Sequence, residues 1–130
     1  MDKYDVYLKH EAGNVLPIEE ALRIYDGLLH SIKICTNEYK DEIVNELIEK
    51  TIKYSAVRAK WEIWDRETRI SEDKGRTIIH NAVIDAFNIL ARLLSKDDID
   101  TTWRDELGEN RKRIGDFACF LVYMIGISNR

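Results

Sequence analysis

Four polar side chains follow one face of a predicted helix, and their residue types suit binding better than solvation. The segment 76–92 has the 3.6-residue period of a helix, and its polar stripe consists of Asn81, Asp85, Asn88 and Arg92. Asparagine and aspartate are weak helix formers that favour caps and turns, whereas an ordinary solvent-facing stripe carries lysine and glutamate. We therefore expect these side chains to hydrogen-bond a partner.

Asp116 lies where the last predicted helix turns apolar, one turn after Lys112 and Arg113. A carboxylate that enters a core should be paired, because an isolated buried charge is costly. We hypothesise that Asp116 joins the polar stripe in a linked cluster between the third and the last helix. The alternative is a surface ion pair with Lys112 or Arg113, which would contribute little stability. The full candidate polar site comprises Arg76, His80, Asn81, Asp85, Asn88, Arg92, Arg113 and Asp116.

Paired acidic residues on two helices raise the possibility of a metal site. Glu46 and Glu49 share one helix face, as do Asp85 and Asn88, and oxygen ligands of this kind suit Mg²⁺. This pattern resembles the helical nucleotide pyrophosphatases related to MazG, which use a Glu-x-x-Glu pair and a later Glu-x-x-Asp pair. Here the second pair is Asp and Asn, and the doubled glutamates of the first pair are missing. The alternative is that Glu46 and Glu49 face solvent and pair with lysines one turn later.

Arg76 and His80 lie one helical turn apart, an arrangement that can serve acid–base chemistry on phosphodiesters. The pair is similar to the Arg-x₄₋₆-His signature of the HEPN family of helical ribonucleases, but only three residues intervene here. No basic surface adjoins the pair in the sequence. These two departures favour a structural histidine held by a hydrogen bond.

Motifs for other chemistry are absent from the sequence. The chain has no glycine-rich phosphate loop, no Gly-x-Ser-x-Gly and no His-Glu-x-x-His. Its three histidines fall on different predicted elements, and its two cysteines, Cys35 and Cys119, make neither a disulfide framework nor a metal knuckle. We therefore expect no cofactor, with Mg²⁺ as the ligand of the alternative metal site.

Composition predicts one soluble globular domain. The 130 residues are 45% hydrophobic and 34% charged, with a net charge of −4 and no long block of like charge. This balance disfavours disorder and nucleic-acid binding. The longest apolar run, 117–125, is well short of the roughly 20 residues that span a bilayer. Together with the reduced cysteines and the absence of a signal pattern, these features predict a cytoplasmic protein.

Hydrophobic periodicity predicts an all-α bundle of four main helices and one short helix. Residues 1–16 form an N-terminal arm, and residues 17–130 form a single bundle domain. The first helix is expected to start near Pro17. The second and third are expected over 38–69 and 71–95, a short helix from a capping pattern at Thr102 to Gly108, and the last over 109–125.

Aromatic residues repeat along the second predicted helix. Tyr54 and Trp61 are seven residues apart, as are Val57 and Trp64. A heptad-like stripe of this kind is most simply a core seam. However, a continuous helix of about 30 residues is about 45 Å long and would overhang a small core. The four residues are therefore also candidates for a homo-oligomer interface.

Two stretches in the second half of the chain resemble a family of short uncharacterised proteins from Firmicutes. They are Ile79-His-Asn-Ala-Val-Ile-Asp-Ala-Phe-Asn-Ile-Leu-Ala-Arg92 and the segment from Trp103 to Cys119. The resemblance implies a bacterial cytoplasmic protein and supplies no catalytic residues. We expect a non-enzymatic protein-interaction or self-association module, with a MazG-like metal-dependent pyrophosphohydrolase as the alternative.

Overall fold

A computed structural model describes residues 15–128 of the chain, with side chains up to Gly126. The helices are α1 (Ile18–Ile34), α2 (Lys40–Ile63), α3 (Arg66–Lys96), α4 (Thr102–Leu107) and α5 (Arg111–Ser128). Four of these five helices are long, and no strand occurs within residues 15–128. The predicted all-α bundle with one short helix is therefore confirmed.

Helix α1 begins where the sequence predicts, because Pro17 stands at its N-cap with extended backbone. Proline needs no amide hydrogen at a helix start, and Glu19 and Glu20 then place negative charge at the positive end of the helix dipole. The helix buries Ala21, Ile24, Tyr25 and Leu28 against the rest of the bundle. Its outer face is mainly polar, as expected for an amphipathic surface helix, although Leu29 and Ile34 are also exposed there.

The boundary between α2 and α3 differs from the prediction. The continuous helix over 38–69 was wrong, since α2 ends at Ile63 and α3 begins at Arg66. The break occurs because Asp65 is an N-cap whose Oδ1 accepts a hydrogen bond from Thr68 N at 2.8 Å. The predicted start at Ser71 lies inside α3. The chain therefore folds into a helical hairpin at Trp64–Asp65, and α3 runs back along α2.

Helix α3 supplies the centre of the core with Val83, Phe87, Leu90 and Leu94, all essentially buried. One 18-residue window of this helix is long and apolar enough to cross a membrane by length and composition. This is a weak indication, because the core helix of a soluble protein passes the same test. Here the apolar face of α3 packs inside the bundle, and the Phe87 ring lies 5.8 Å from that of Phe117 on α5.

The short helix α4 and the start of α5 are set by local caps. Asp100 Oδ1 accepts hydrogen bonds from both the backbone N and the Oγ1 of Thr102, so Asp100 organises the start of α4. Gly108 ends α4 with φ 74°, a conformation that suits glycine. Helix α5 follows at Arg111, and its residues from Ile114 to Leu121 are all buried. This apolar stretch crosses the core, as its sequence predicts.

Candidate functional site

The residues of the polar stripe on α3 do not share one hydrogen-bond partner. Asn81 accepts a hydrogen bond from Arg111 at 2.8 Å, and Asn88 accepts one from Arg104 at 2.8 Å. Asp85 and Arg92 are exposed, and neither contacts Asp116 in a recorded hydrogen bond or ion pair. The hypothesis of one linked cluster with Asp116 is therefore wrong. Asn81 and Asn88 therefore reach Arg111 and Arg104 rather than the buried centre of α5.

Asp116 is completely buried and pairs with α2 instead. Its Oδ1 lies 2.5 Å from Nη2 of Arg58, and its Oδ2 accepts the backbone N–H groups of Val15 and Leu16 at 3.0 and 3.3 Å. The expected pairing of a carboxylate that enters the core is thus confirmed, but with a different cation. Val15 and Leu16 end the predicted N-terminal arm, and residues 1–14 of that arm lie outside the described residues.

Two other arginines, Arg104 and Arg113, stabilise the backbone around the end of α4 by hydrogen bonds. Arg104 donates to Asn88, to the carbonyl of Gly108 and to Glu109, while Arg113 donates to the carbonyls of Glu106 and Leu107. Arg113 also pairs with Glu20 of α1 at 2.7 Å. Because both guanidinium groups satisfy backbone carbonyls at the end of a helix, their role is structural.

A groove of about 700 Å³ lies where α2, α3 and the start of α5 meet. A ligand-sized cleft of this kind is the usual place for a small-molecule site. Helix α2 contributes side chains at spacings of four and three, and α3 contributes side chains one turn apart, so each helix presents a single face. The lining residues are Tyr54, Arg58, Trp61, Glu62, Arg76, Thr77, His80, Asn81, Arg111 and Lys112.

The charge of this groove is positive although the chain as a whole is negative. Four cationic side chains line it, and Glu62 is the one carboxylate among the lining residues. Arg58 pairs with Asp116, and Arg76 pairs with Asp73 at 3.2 Å. Within residues 15–128, neither Arg111 nor Lys112 has a carboxylate within ion-pair distance. These two side chains therefore leave positive charge at the mouth of the groove.

The start of α5 is electrostatically unfavourable. Asn110 is its N-cap, because its Oδ1 accepts from the backbone N of Arg113 at 3.0 Å. The first turn then carries Arg111, Lys112 and Arg113 and no acidic residue. The positive end of a helix dipole favours anions, so cations here cost stability unless an anion is present.

His80 forms the floor of the groove and is only 6% exposed. Its Nε2 lies 2.9 Å from the carbonyl oxygen of Arg111, so this nitrogen carries the hydrogen and donates it. Burial, the largest cause, lowers the pKa of His80, and neighbouring arginines lower it further. The ring packs against Tyr54 with centroids 4.8 Å apart. His80 is therefore neutral at pH 7 and Nδ1 is a hydrogen-bond acceptor.

Arg76 and Trp61 line the groove side by side. The Arg76 guanidinium lies 4.3 Å from the centroid of the Trp61 ring, a cation–π contact that orients the arginine. Arg76 Nε is buried and has no hydrogen-bond partner within residues 15–128. The predicted pair Arg76 and His80 is thus held together on one face, and the predicted absence of an adjacent basic surface was wrong.

The acidic residues proposed for a metal site are not brought together. Glu46 pairs with Lys50 at 2.9 Å and Glu49 with Lys53 at 3.5 Å, which confirms the solvent-facing alternative. Asp85 is exposed on α3. In the part of the chain that the structure describes, no three His, Cys, Asp or Glu residues could hold a metal ion as a group.

The aromatic interface candidates lie within the protein to different extents. Tyr54 is 4% exposed and belongs to the core, while Val57, Trp61 and Trp64 are half-buried. The expected overhang was wrong, because α3 runs back from Asp65 and its Arg69 and Arg76 cover Trp61. The core-seam alternative describes this stripe better.

Three cationic groove residues, Arg58, Arg111 and Lys112, were absent from the predicted site, as were Glu62 and Thr77. One signal could have identified two of them, because Arg-Lys-Arg at a predicted helix start opposes the helix dipole. Arg58 had no comparable signal, since its partner Asp116 is 58 residues away.

No family model, curated protein or solved structure matches this chain. The resemblances of its segments to the Firmicutes family and to the MazG and HEPN families therefore stay predictions. The candidate site rests on the geometry of the groove.

Proposed function

We propose that the protein is a non-enzymatic binding module whose basic groove accepts an anionic ligand. The observation that carries this proposal is the uncompensated positive charge of Arg111 and Lys112 at the start of α5, on a groove of ligand size. The net charge of −4 opposes long polyanions such as nucleic acid, so a short anion fits better. The proposed setting is the bacterial cytoplasm, as the resemblance to the Firmicutes family implies.

Thermal unfolding with added anions tests this proposal. Pyrophosphate and citrate are compared with sodium chloride at matched ionic strength, and a bound anion should raise Tm as its concentration exceeds Kd. The double variant Arg111→Gln/Lys112→Gln should lose this increase. The control Lys33→Gln/Lys96→Gln removes the same charge from exposed residues that do not line the groove, and it should retain the increase.

The anion-free stability of the same variants separates a binding role from a structural one. Lys112→Gln should be at least as stable as the parent, because it removes a cation from the positive end of α5. A parent protein whose Tm responds to no polyanion would overturn the proposal. Magnesium-dependent release of pyrophosphate from nucleoside triphosphates would overturn its non-enzymatic part in favour of the metal-dependent hydrolase.

Self-association is a second proposed property, supported by a stripe on α2. Ile52, Ala56, Ala59 and Ile63 are exposed and recur at spacings of four, three and four residues, as in a coiled-coil seam. Ile63 is 82% exposed, although a large apolar side chain is normally buried. Exposed apolar surface of this kind often marks a contact with a partner protein. A second copy of the chain, related by a two-fold axis, is the proposed partner.

Sedimentation equilibrium at micromolar concentration tests whether the chain forms this dimer. The parent should give a dimer mass, and Ala59→Glu should shift it towards a monomer because a charge then enters the seam. Ile78→Glu is the matched control, since Ile78 is 61% exposed but lies on α3 outside the stripe. A monomer mass for the parent, or equal effects of both substitutions, would contradict self-association through α2.

A further inference from the structure

We propose that the ligand of the groove is a small phosphorylated molecule with hydroxyl groups, of sugar-phosphate size, whose phosphate lies at the start of α5. This inference rests on the proposed function and specifies its ligand class. Three features of the groove support it: the donors at the start of α5, the volume of the groove and the hydrogen-bonding state of His80.

The start of α5 combines the donors that recognise phosphate. With Asn110 as N-cap, the backbone N–H groups of Arg111 and Lys112 occupy the first two helical positions, which have no acceptor within the helix. Backbone donors at a helix start, together with the positive end of its dipole, form an anion site that suits phosphate. The guanidinium of Arg111 adds a planar donor and Lys112 adds a point charge.

A phosphate group also matches the amount of charge better than a carboxylate does. Arg111 and Lys112 together present two positive charges without a carboxylate partner among residues 15–128. A phosphate monoester carries about −1.5 to −2 at pH 7 and offers three acceptor oxygens, whereas a carboxylate carries one charge and two oxygens. Arg76, which also lines the groove and whose guanidinium stacks on Trp61, is a further cationic donor there.

The rest of the groove requires a ligand body with hydrogen-bond donors. A cavity of about 700 Å³ is much larger than a phosphate group, so the anion alone would leave most of it unfilled. His80 donates from Nε2 to Arg111, which leaves Nδ1 as an acceptor. The oxygens of a dianionic phosphate monoester are acceptors only and offer no donor to that nitrogen, but a hydroxyl group does. The recognised molecule therefore joins a phosphate to a hydroxyl-bearing body.

Isothermal titration calorimetry of the full chain tests this class with ribose 5-phosphate, ribose, inorganic phosphate and citrate. Ribose 5-phosphate should bind at least about tenfold more tightly than either inorganic phosphate or citrate, and ribose should not bind. Arg111→Gln/Lys112→Gln should weaken ribose 5-phosphate about tenfold to a hundredfold, because two charge-assisted contacts are lost. The control Lys33→Gln/Lys96→Gln should leave the affinity unchanged.

His80→Phe distinguishes the ligand body from the phosphate. It retains an aromatic ring beside Tyr54 but removes the acceptor, so it should weaken ribose 5-phosphate while leaving inorganic phosphate unchanged. Circular dichroism verifies that the variant folds. His80→Leu, which also removes the acceptor, is the second variant if His80→Phe does not fold. Equal losses for both ligands in the folded variant would overturn the role of His80.

The remaining outcomes separate this inference from the proposed function. Citrate binding as tightly as ribose 5-phosphate would overturn the phosphate class but leave an anion-binding groove. Binding only to phosphatidylcholine vesicles that contain phosphatidic acid would overturn the soluble ligand in favour of a lipid headgroup. No binding of any of these anions would overturn both proposals.

Discussion

Replacing Asp116 with alanine is expected to reduce the free energy of unfolding by about 3–5 kcal/mol, the usual cost of breaking a buried ion pair. The carboxylate is 0% exposed and accepts hydrogen bonds from Arg58, Val15 N and Leu16 N. Without it, the guanidinium of Arg58, whose side chain is only 19% exposed, and two backbone N–H groups lose an acceptor. Urea unfolding of parent and variant measures the difference.

Asp85→Ala is the matched control for Asp116→Ala. Asp85 is an exposed aspartate on a helix of the same bundle, and its replacement should change stability by less than about 0.5 kcal/mol. Asp116→Asn retains the size of the side chain but loses its charge, so it should lie between parent and alanine variant. A loss below about 0.5 kcal/mol for Asp116→Ala would mean that water or another group compensates Arg58, and the buried pair would not stabilise the fold.

Replacing Gly115 with alanine should destabilise the protein by about 1–3 kcal/mol through overpacking. A Cβ at this position would overlap Tyr54 Oη and lie only 2.9 Å from Tyr54 Cζ. Gly115 therefore allows α5 to approach the side chain that packs against His80 and lines the groove. Since Tyr54 is buried, its ring cannot move aside without disturbing its neighbours.

Gly75→Ala is the control for Gly115→Ala and should have the opposite sign. A Cβ at Gly75 meets nothing within 4 Å, and alanine is favoured over glycine inside a helix by roughly 0.5–1 kcal/mol. The clash itself is measured by a double-mutant cycle with Tyr54→Leu, whose shorter side chain should recover part of the loss from Gly115→Ala. If the two substitutions are additive, Gly115 does not act through Tyr54.

The sequence alone determined the fold class and several of the helix ends. Periodicity and turn residues are local signals, so Pro17, Thr102 and Gly108 placed the start of α1 and the limits of α4. The predicted capping box at Thr102 was nevertheless wrong, since the N-cap of α4 is Thr101 and the Thr102 hydroxyl donates to Asp100. The apolar character of α5 predicted its central position. The position of Asp116 at the start of an apolar run also predicted that its carboxylate would need a partner.

The choice of that partner was decided by tertiary packing. Arg58 is 58 residues from Asp116 in the chain, and the sequence offered nearer cations in Lys112 and Arg113. The hairpin at Asp65 directs α3 back along α2, and α5 packs against α2, so Arg58 reaches Asp116 while Arg113 is occupied by Glu20 and the end of α4. The N-cap at Asp65, which lies between two apolar periodic segments, therefore helped to decide that Asp116 pairs with Arg58.

The candidate site likewise depends on tertiary structure. Its cations come from α2, α3 and α5, and each is unremarkable on its own helix, since lysine and arginine are good helix formers. Of the unusual asparagines, Asn81 lines the groove and accepts from Arg111, whereas Asn88 accepts from Arg104 and does not line it. Periodicity reports which face of one helix is buried, whereas a groove is defined by faces of several helices whose relative rotation is decided only by the packed core.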